Sequence, residues 1–197
     1  MTISTGSHSD ATSGAARPRV QAPVIWLTGK PNAGKTTLAT LLASHLRQQG
    51  RPVEVLDGNE LRQWLSSELG FSAEDRFKHV LRVARLAKLL SGHGVWCVAA
   101  IIAPYRSLRQ QVRELLGSGF LEIFLDCSPT VLAQRDTKNL YVRAQRGELA
   151  KFTGISDPYE EPLSPNLKLD TERHSSQECL ATLLDYLRAG PWAGDGR

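Results

Sequence analysis

Residues 29–36 read Gly-Lys-Pro-Asn-Ala-Gly-Lys-Thr, a complete G-x-x-x-x-G-K-[ST] phosphate loop. Its chemistry is geometric. Gly29 and Gly34 allow the backbone to curl so that its N–H groups point at phosphate oxygens. Lys30, Pro31, Asn32 and Ala33 complete the arc, and Thr37 continues into a helix whose positive end adds to the anion site. Lys35 is placed to reach β- and γ-phosphates, and the Thr36 hydroxyl suits Mg²⁺. A glycine-rich turn that binds nothing is the alternative. Lys and Thr in their places, after an apolar strand and before a helix, favour binding of ATP or another nucleoside triphosphate.

A second group carries reactive chemistry. Val55-Leu56-Asp57-Gly58 is an apolar strand ending in a carboxylate. In open parallel sheets ligands bind at the carboxyl ends of strands, so Asp57 is expected to face the phosphate loop. There it would polarise an acceptor hydroxyl or help Thr36 hold Mg²⁺. An N-cap for a segment starting near Leu61 explains the same residue equally well.

These residues need a scaffold. Short β-like runs at 24–27, 53–56, 95–100, 121–126 and 167–169 alternate with helical patterns at 35–49, 73–91, 107–116, 129–135 and 175–187. The rhythm predicts an α/β, three-layer P-loop NTPase fold, a parallel sheet with helices on both faces. The segment 139–165 breaks it, being polar and carrying Gly147, Gly154, Pro158, Pro162 and Pro165. A long irregular insertion in such a fold reads as a lid, here about 138–165, with a solvated surface loop as the alternative.

The 197 residues suit one domain, expected over 21–188, with a disordered tail at 1–20 and a frayed end at 189–197. Against 20 acidic residues stand 24 Lys and Arg, a formal charge of +4 that fits anionic small molecules. No basic run argues for nucleic acid. No stretch is apolar and long enough for a membrane span, and the N-terminal residues lack the apolar centre of a secretory signal. Cys97, Cys127 and Cys179 are scattered through apolar or helical stretches, which favours buried thiols in a reducing, cytoplasmic setting.

Beyond the loop, the chain resembles the adenylyl-sulfate kinase family. The resemblance rests on Asp57-Gly58 with Arg62, Leu69-Gly70-Phe71-Ser72, Asp75-Arg76 and Pro104-Tyr105-Arg106. It continues through Arg135-Asp136, Lys138, Leu140-Tyr141, Gly147-Glu148, Phe152-Thr153-Gly154-Ile155 and Asp157-Pro158-Tyr159-Glu160. The family transfers the γ-phosphoryl group of ATP, with Mg²⁺, to the 3′-hydroxyl of adenylyl sulfate. By that resemblance Asp57 is the acceptor-activating carboxylate, and Arg62 and Arg76 hold acceptor sulfate and phosphate oxygens. Phe71 and Phe152 sandwich its base, a contact worth about 1–3 kcal/mol. Ile101 and Leu140 line the same pocket, Arg135 belongs to the nucleotide side, and Lys138 adds charge near the transferred group. Family members often form dimers, so a homodimer is compatible, although no apolar stripe marks an interface.

Three departures surround the acceptor. Asn59 stands where the family has a second Asp, His79 replaces an Asn, and Ala103 replaces a Ser proposed in the family as a phosphorylated intermediate. His79 shares a helix face with Arg76 and would point into the pocket; a solvent-facing position is the alternative. Alanine at 103 leaves direct in-line transfer as the economical route. Lys30-Pro31-Asn32 replaces small residues in the loop. Two other functions stay open at this level: phosphorylation of a different activated nucleotide, such as a cytidine or phosphoramidate analogue, and weakly active nucleotide sensing beside a sulfate-activating enzyme.

Overall fold

The computed structural model describes residues 21–149 and 151–192; the expected tail at 1–20 and the last residues, 193–197, lie outside the described residues. Five strands, β1 (Val24–Thr28), β2 (Val53–Asp57), β3 (Trp96–Ala100), β4 (Phe120–Asp126) and β5 (Leu167–Asp170), pair in parallel in the order β2-β3-β1-β4-β5. Around them run α1 (Lys35–Gln48), α2 (Gly58–Leu65), α3 (Ala73–Gly92), α4 (Arg106–Leu116), α5 (Pro129–Gln134), α6 (Leu140–Gln145) and α7 (Ser176–Ala189).

The central strand β1 is buried along its whole length, as expected of a parallel strand covered on both faces. Its side chains alternate between two cores. Ile25 and Leu27 pack with Leu38 and Leu42 of α1 and Leu183 of α7. Val24 and Trp26 pack with Val83 of α3 and Leu108 and Val112 of α4. The result is the three-layer α/β arrangement expected from the alternation of runs.

Local chemistry sets the helix starts. Ser72 with Asp75, and Ser175 with Glu178, form capping boxes for α3 and α7. Ser128 caps α5, with Pro129 in the first turn. Two helices were not legible in the sequence. Helix α2 opens on Gly58-Asn59, a poor helix start by propensity, and forms because Asp57 caps it. Helix α6 lies inside the segment expected to be irregular. It is held from outside: Asp136 Oδ2 accepts from the Tyr141 amide at 2.6 Å, and the Tyr141 hydroxyl donates to the Pro31 carbonyl at 3.1 Å. At the other end, Ala189 completes α7 instead of opening a frayed tail, and Trp192 packs against the core.

One buried ion pair braces the wall of the site. Arg109 is 2% exposed and Glu122 5%, and Arg109 Nε lies 2.8 Å from Glu122 Oε1. Arg109 also donates to the Ala103 and Glu160 carbonyls, at 2.7 and 2.5 Å. Ala103 has φ 42, a left-handed conformation uncommon outside glycine, and the guanidinium holds it there. Arg109→Ala leaves Glu122 buried beside Arg113 alone and frees both carbonyls. The expected outcome is a loss of about 3–5 kcal/mol of stability in urea unfolding.

Candidate active site

The carboxyl ends of the strands open onto a cavity of about 870 Å³. The phosphate loop forms one wall. Gly29 (φ 153) and Gly34 (φ 91) take the positive angles that only glycine adopts freely, and Asn32 (φ 63) joins them. A Cβ on Gly29 would stand 2.7 Å from the Leu125 carbonyl, so β4 also demands the glycine. Pro31, Asn32, Ala33, Gly34, Lys35, Thr36 and Thr37 border the cavity. Gly29 and Lys30 do not line it; their carbonyls accept from Lys35 Nζ at 2.9 and 2.7 Å. Burial pushes the Lys35 ammonium down to about 7 against the opposing pull of Asp57.

The side chains that depart from small residues in this loop are tethers. Lys30 Nζ lies 3.4 Å from Glu161, and Asn32 donates to the Leu132 carbonyl at 3.3 Å. Together with the Tyr141–Pro31 contact, they tie the loop to α5 and to the segment expected as a lid.

Asp57 serves two ends at once. Its Oδ1 accepts from the Asn59 amide at 2.8 Å and, more weakly, from Glu60 at 3.4 Å, which is the N-cap geometry. Its Oδ2 accepts from Thr36 Oγ1 at 2.6 Å. The two alternatives weighed from sequence are therefore compatible: the cap aims the carboxylate at the loop.

The acceptor-side candidates gather on the same cavity. Arg62, Phe71, Arg76, His79, Ile101, Lys138, Leu140 and Phe152 all border it, as does Arg135. Phe71 is 57% exposed, and the Arg62 and Arg76 guanidiniums lie 4.8 and 6.0 Å from its ring centroid. Phe152 is packed edge-on against Tyr141, with centroids 5.1 Å apart. Arg62 donates to the Gly70 carbonyl at 2.8 Å, leaving much of its fork uncommitted.

Arg76 is more heavily engaged. It donates to Phe71 O at 3.2 Å, to Thr153 Oγ1 at 2.6 Å and to the Lys151 carbonyl, and pairs with Asp157 at 3.2 Å. It thus fastens α3 to the segment 151–157. His79 is not solvent-facing: it is 3% exposed, with Nδ1 3.0 Å from Ser66 Oγ. Arg135 is anchored by the Thr171 carbonyl at 2.6 Å.

Sequence reasoning missed Thr137, Thr171, His174, Ser175 and Ser176, which also border the cavity. All but Thr137 follow the carboxyl end of β5, so the strand-end rule applied to the fifth strand would have found them.

Burial, then the charge of Arg62, push the His79 imidazole down to about 4, with Arg82 adding a smaller push. In the unfolded chain it titrates near 6.5, so between these values the unfolded state binds the extra proton. His79 therefore contributes stability that is present above about 6.5 and lost as pH falls toward 4. Comparing urea unfolding of the protein and of His79→Gln at pH 7 and pH 4.5 should show the smaller acid loss in the variant.

The family model for adenylylsulphate kinase matches residues 21–170. An adenylyl-sulfate kinase of Chloroflexus aurantiacus is 50% identical over 164 residues, 83% of this chain and 88% of that protein. One from Synechococcus is 46% identical over 165 residues, 84% of this chain and 93% of that protein. Among solved structures, the APS kinase of Mycobacterium tuberculosis in complex with AMPPNP and APS superposes with a TM-score of 0.82 at 34% identity, covering 85% of this chain and 98% of that one. A shikimate kinase from Acinetobacter baumannii, at 15% identity and TM-score 0.54 over 86% of this chain and 95% of that one, shares the fold. With its phosphate loop, strand-tip carboxylate and cavity, and with these relatives over most of its length, the chain belongs to the adenylylsulphate kinase family.

Proposed function

We propose that this protein transfers the γ-phosphoryl group of ATP to the 3′-hydroxyl of adenylyl sulfate, yielding 3′-phosphoadenylyl sulfate. The observation that carries the reading is the 2.6 Å contact between Thr36 and Asp57. It joins the triphosphate loop to a carboxylate that does not itself line the cavity but whose neighbours Gly58 and Asn59 do, alongside two aromatic rings and a cluster of cations. The names of the relatives support adenylyl sulfate as the acceptor.

Asp57 would accept a hydrogen bond from the acceptor hydroxyl and take up its proton as the new P–O bond forms. Lys35 would leave its two backbone carbonyls for the β,γ-phosphates, whose negative charge restores the ammonium that burial disfavours. Arg62, Arg76 and Lys138 would meet acceptor and transferring oxygens, and Phe71 and Phe152 would flank its base. Ala103 offers no hydroxyl to phosphorylate, which supports direct in-line transfer.

The hydroxyl of Thr36 and the carboxylate of Asp57 are hard oxygen donors that suit Mg²⁺, an ion that keeps several waters and takes its other ligands from phosphates. When bound, it would neutralise charge on the β,γ-phosphates. The described cysteines are free and buried, which fits a reducing, cytoplasmic setting. Assembly as a homodimer belongs to the same reading; an APS kinase of Thiobacillus denitrificans, 31% identical over 89% of this chain and 30% of that one at a TM-score of 0.66, is described as hexameric.

Two experiments test the reading. Adenylyl sulfate, a cytidine analogue and a phosphoramidate analogue are each offered with ATP, and the products weighed by mass spectrometry. Adenylyl sulfate should gain one phosphoryl group; preference for another acceptor, or none, overturns the assignment. The second uses Asp57→Asn, because asparagine caps α2 as well as aspartate does while losing the base. Turnover should fall about 10²- to 10⁴-fold, with ATP affinity by calorimetry nearly unchanged. Near-normal turnover removes Asp57 from the chemistry.

A further inference from the structure

Tyr141, the second residue of α6, does not itself border the cavity. It is 4% exposed and packs in the core that holds Ala33 and Leu132. A phenylalanine would fill that space as well. The hydroxyl needs its own reason, because a buried one is costly unless it is paired. Its partner is the phosphate loop: the Tyr141 hydroxyl donates to the Pro31 carbonyl at 3.1 Å. The ring has a second neighbour. It meets Phe152 edge-on, with centroids 5.1 Å apart and planes at 78°. Pro31 and Phe152 both border the cavity, so Tyr141 stands behind two of its walls.

We propose that Tyr141 is a positioning residue for both substrates: its hydroxyl holds the phosphate loop through the Pro31 carbonyl, and its ring backs Phe152 on the acceptor side. The inference rests on the proposed function, which puts ATP against the loop and the acceptor's base against Phe152.

The hydroxyl matters most once ATP is bound. In the structure Lys35 secures the two carbonyls before Pro31, those of Gly29 and Lys30. Those bonds would be given up as Lys35 turns to the β,γ-phosphates. The Lys30 carbonyl then keeps the Ala33 amide, at 3.3 Å, and the Pro31 carbonyl keeps Tyr141. Burial, with the charge of Asp136 adding to it, pushes the Tyr141 phenol up to about 12, so its proton stays available to donate across the neutral range. The residue is itself fixed from behind, its amide donating to Asp136 Oδ2 at 2.6 Å. On the other side, the edge-on arrangement is one that aromatic pairs favour, and it limits how far the Phe152 ring can tilt. One side chain thus sets the donor loop and the acceptor's aromatic wall relative to each other.

The two duties separate by substitution. Tyr141→Phe keeps the ring and removes only the hydroxyl, whereas Tyr141→Leu removes both. Calorimetry on the full-length chain with Mg²⁺ measures the affinity for ATP alone, then for adenylyl sulfate with a non-hydrolysable ATP analogue at saturation. Tyr141→Phe should weaken ATP binding about three- to tenfold, the worth of one net hydrogen bond. Adenylyl sulfate affinity in that variant should stay within about twofold. Tyr141→Leu should weaken both ligands, adenylyl sulfate by about three- to tenfold. Phe152→Leu supplies the control: with Phe152 gone, adding Tyr141→Leu should weaken adenylyl sulfate no further. Unchanged ATP affinity in Tyr141→Phe overturns the proposal, and so does an equal loss for both ligands there, the mark of a general loosening. Additive losses in the double variant overturn the role of the ring. Should Tyr141→Leu fail to fold, Tyr141→Phe still decides. An unmodified protein that binds ATP but no adenylyl sulfate refutes the proposed function, while the ATP titrations still decide the part played by the hydroxyl.

Discussion

The site depends on where the sheet register puts one carboxylate. Leu27 on β1 and Asp57 on β2 both pair with Ala100 of β3, so the two stand level on either side of it. Two strand spacings, roughly 10 Å, separate them. The phosphate loop spans that gap by curling out from β1 and returning at Thr36, the second residue of α1. A slip of one residue in β2 would turn Asp57 to the opposite face. The hydrogen bond from Thr36 to Asp57 exists because the hydrophobic alternation of the buried strands forbids that slip.

The segment after α5 covers this arrangement by specific attachments. Tyr141 is buried in the core below the loop and bonded to Pro31. Tyr159 stacks on Phe124 and shares a 3.0 Å hydrogen bond with Thr28, at the end of β1. Asp157 meets both Arg76 and the Tyr105 hydroxyl, and Glu160 accepts from the Arg106 amide at 2.7 Å. Arg76 is therefore shared between cavity and cover. Three polar links from one guanidinium to residues 151–157 make the position of the cover depend on α3. A ligand anion arriving at Arg76 would act on both at once.

The residues that depart from the family pattern acquire physical reasons in this setting. Lys30, Pro31 and Asn32 leave the phosphate cradle to the backbone and turn their own polar groups toward the cover and α5. Ala103 occupies a left-handed turn before Pro104, with its carbonyl held by Arg109. A small side chain is the sensible choice where the backbone is strained and the residue is 1% exposed. Nothing in the structure explains Asn59 beyond its amide, which the Asp57 cap uses.

By itself the sequence determined the strands, the long helices and the phosphate loop, because these follow from local rules: apolar runs, Ser caps, and glycines spaced for a curled backbone. It also determined that Asp57 ends a strand, but left cap and catalyst undecided, since one residue type suits both. Only the tertiary structure decided that Asp57 does the capping while facing Thr36, for the register across β3 is a non-local fact. Helices α2 and α6 were hidden for the same reason, their short and unpromising runs being stabilised by Asp57, Asp136 and a buried Tyr141. His79 was ambiguous between pocket and solvent because helical spacing gives a face and no burial. Its enclosure, with one nitrogen matched to Ser66 and the other buried without a hydrogen-bond partner, emerges from the packing of α3 on α2 and cannot be read along the chain.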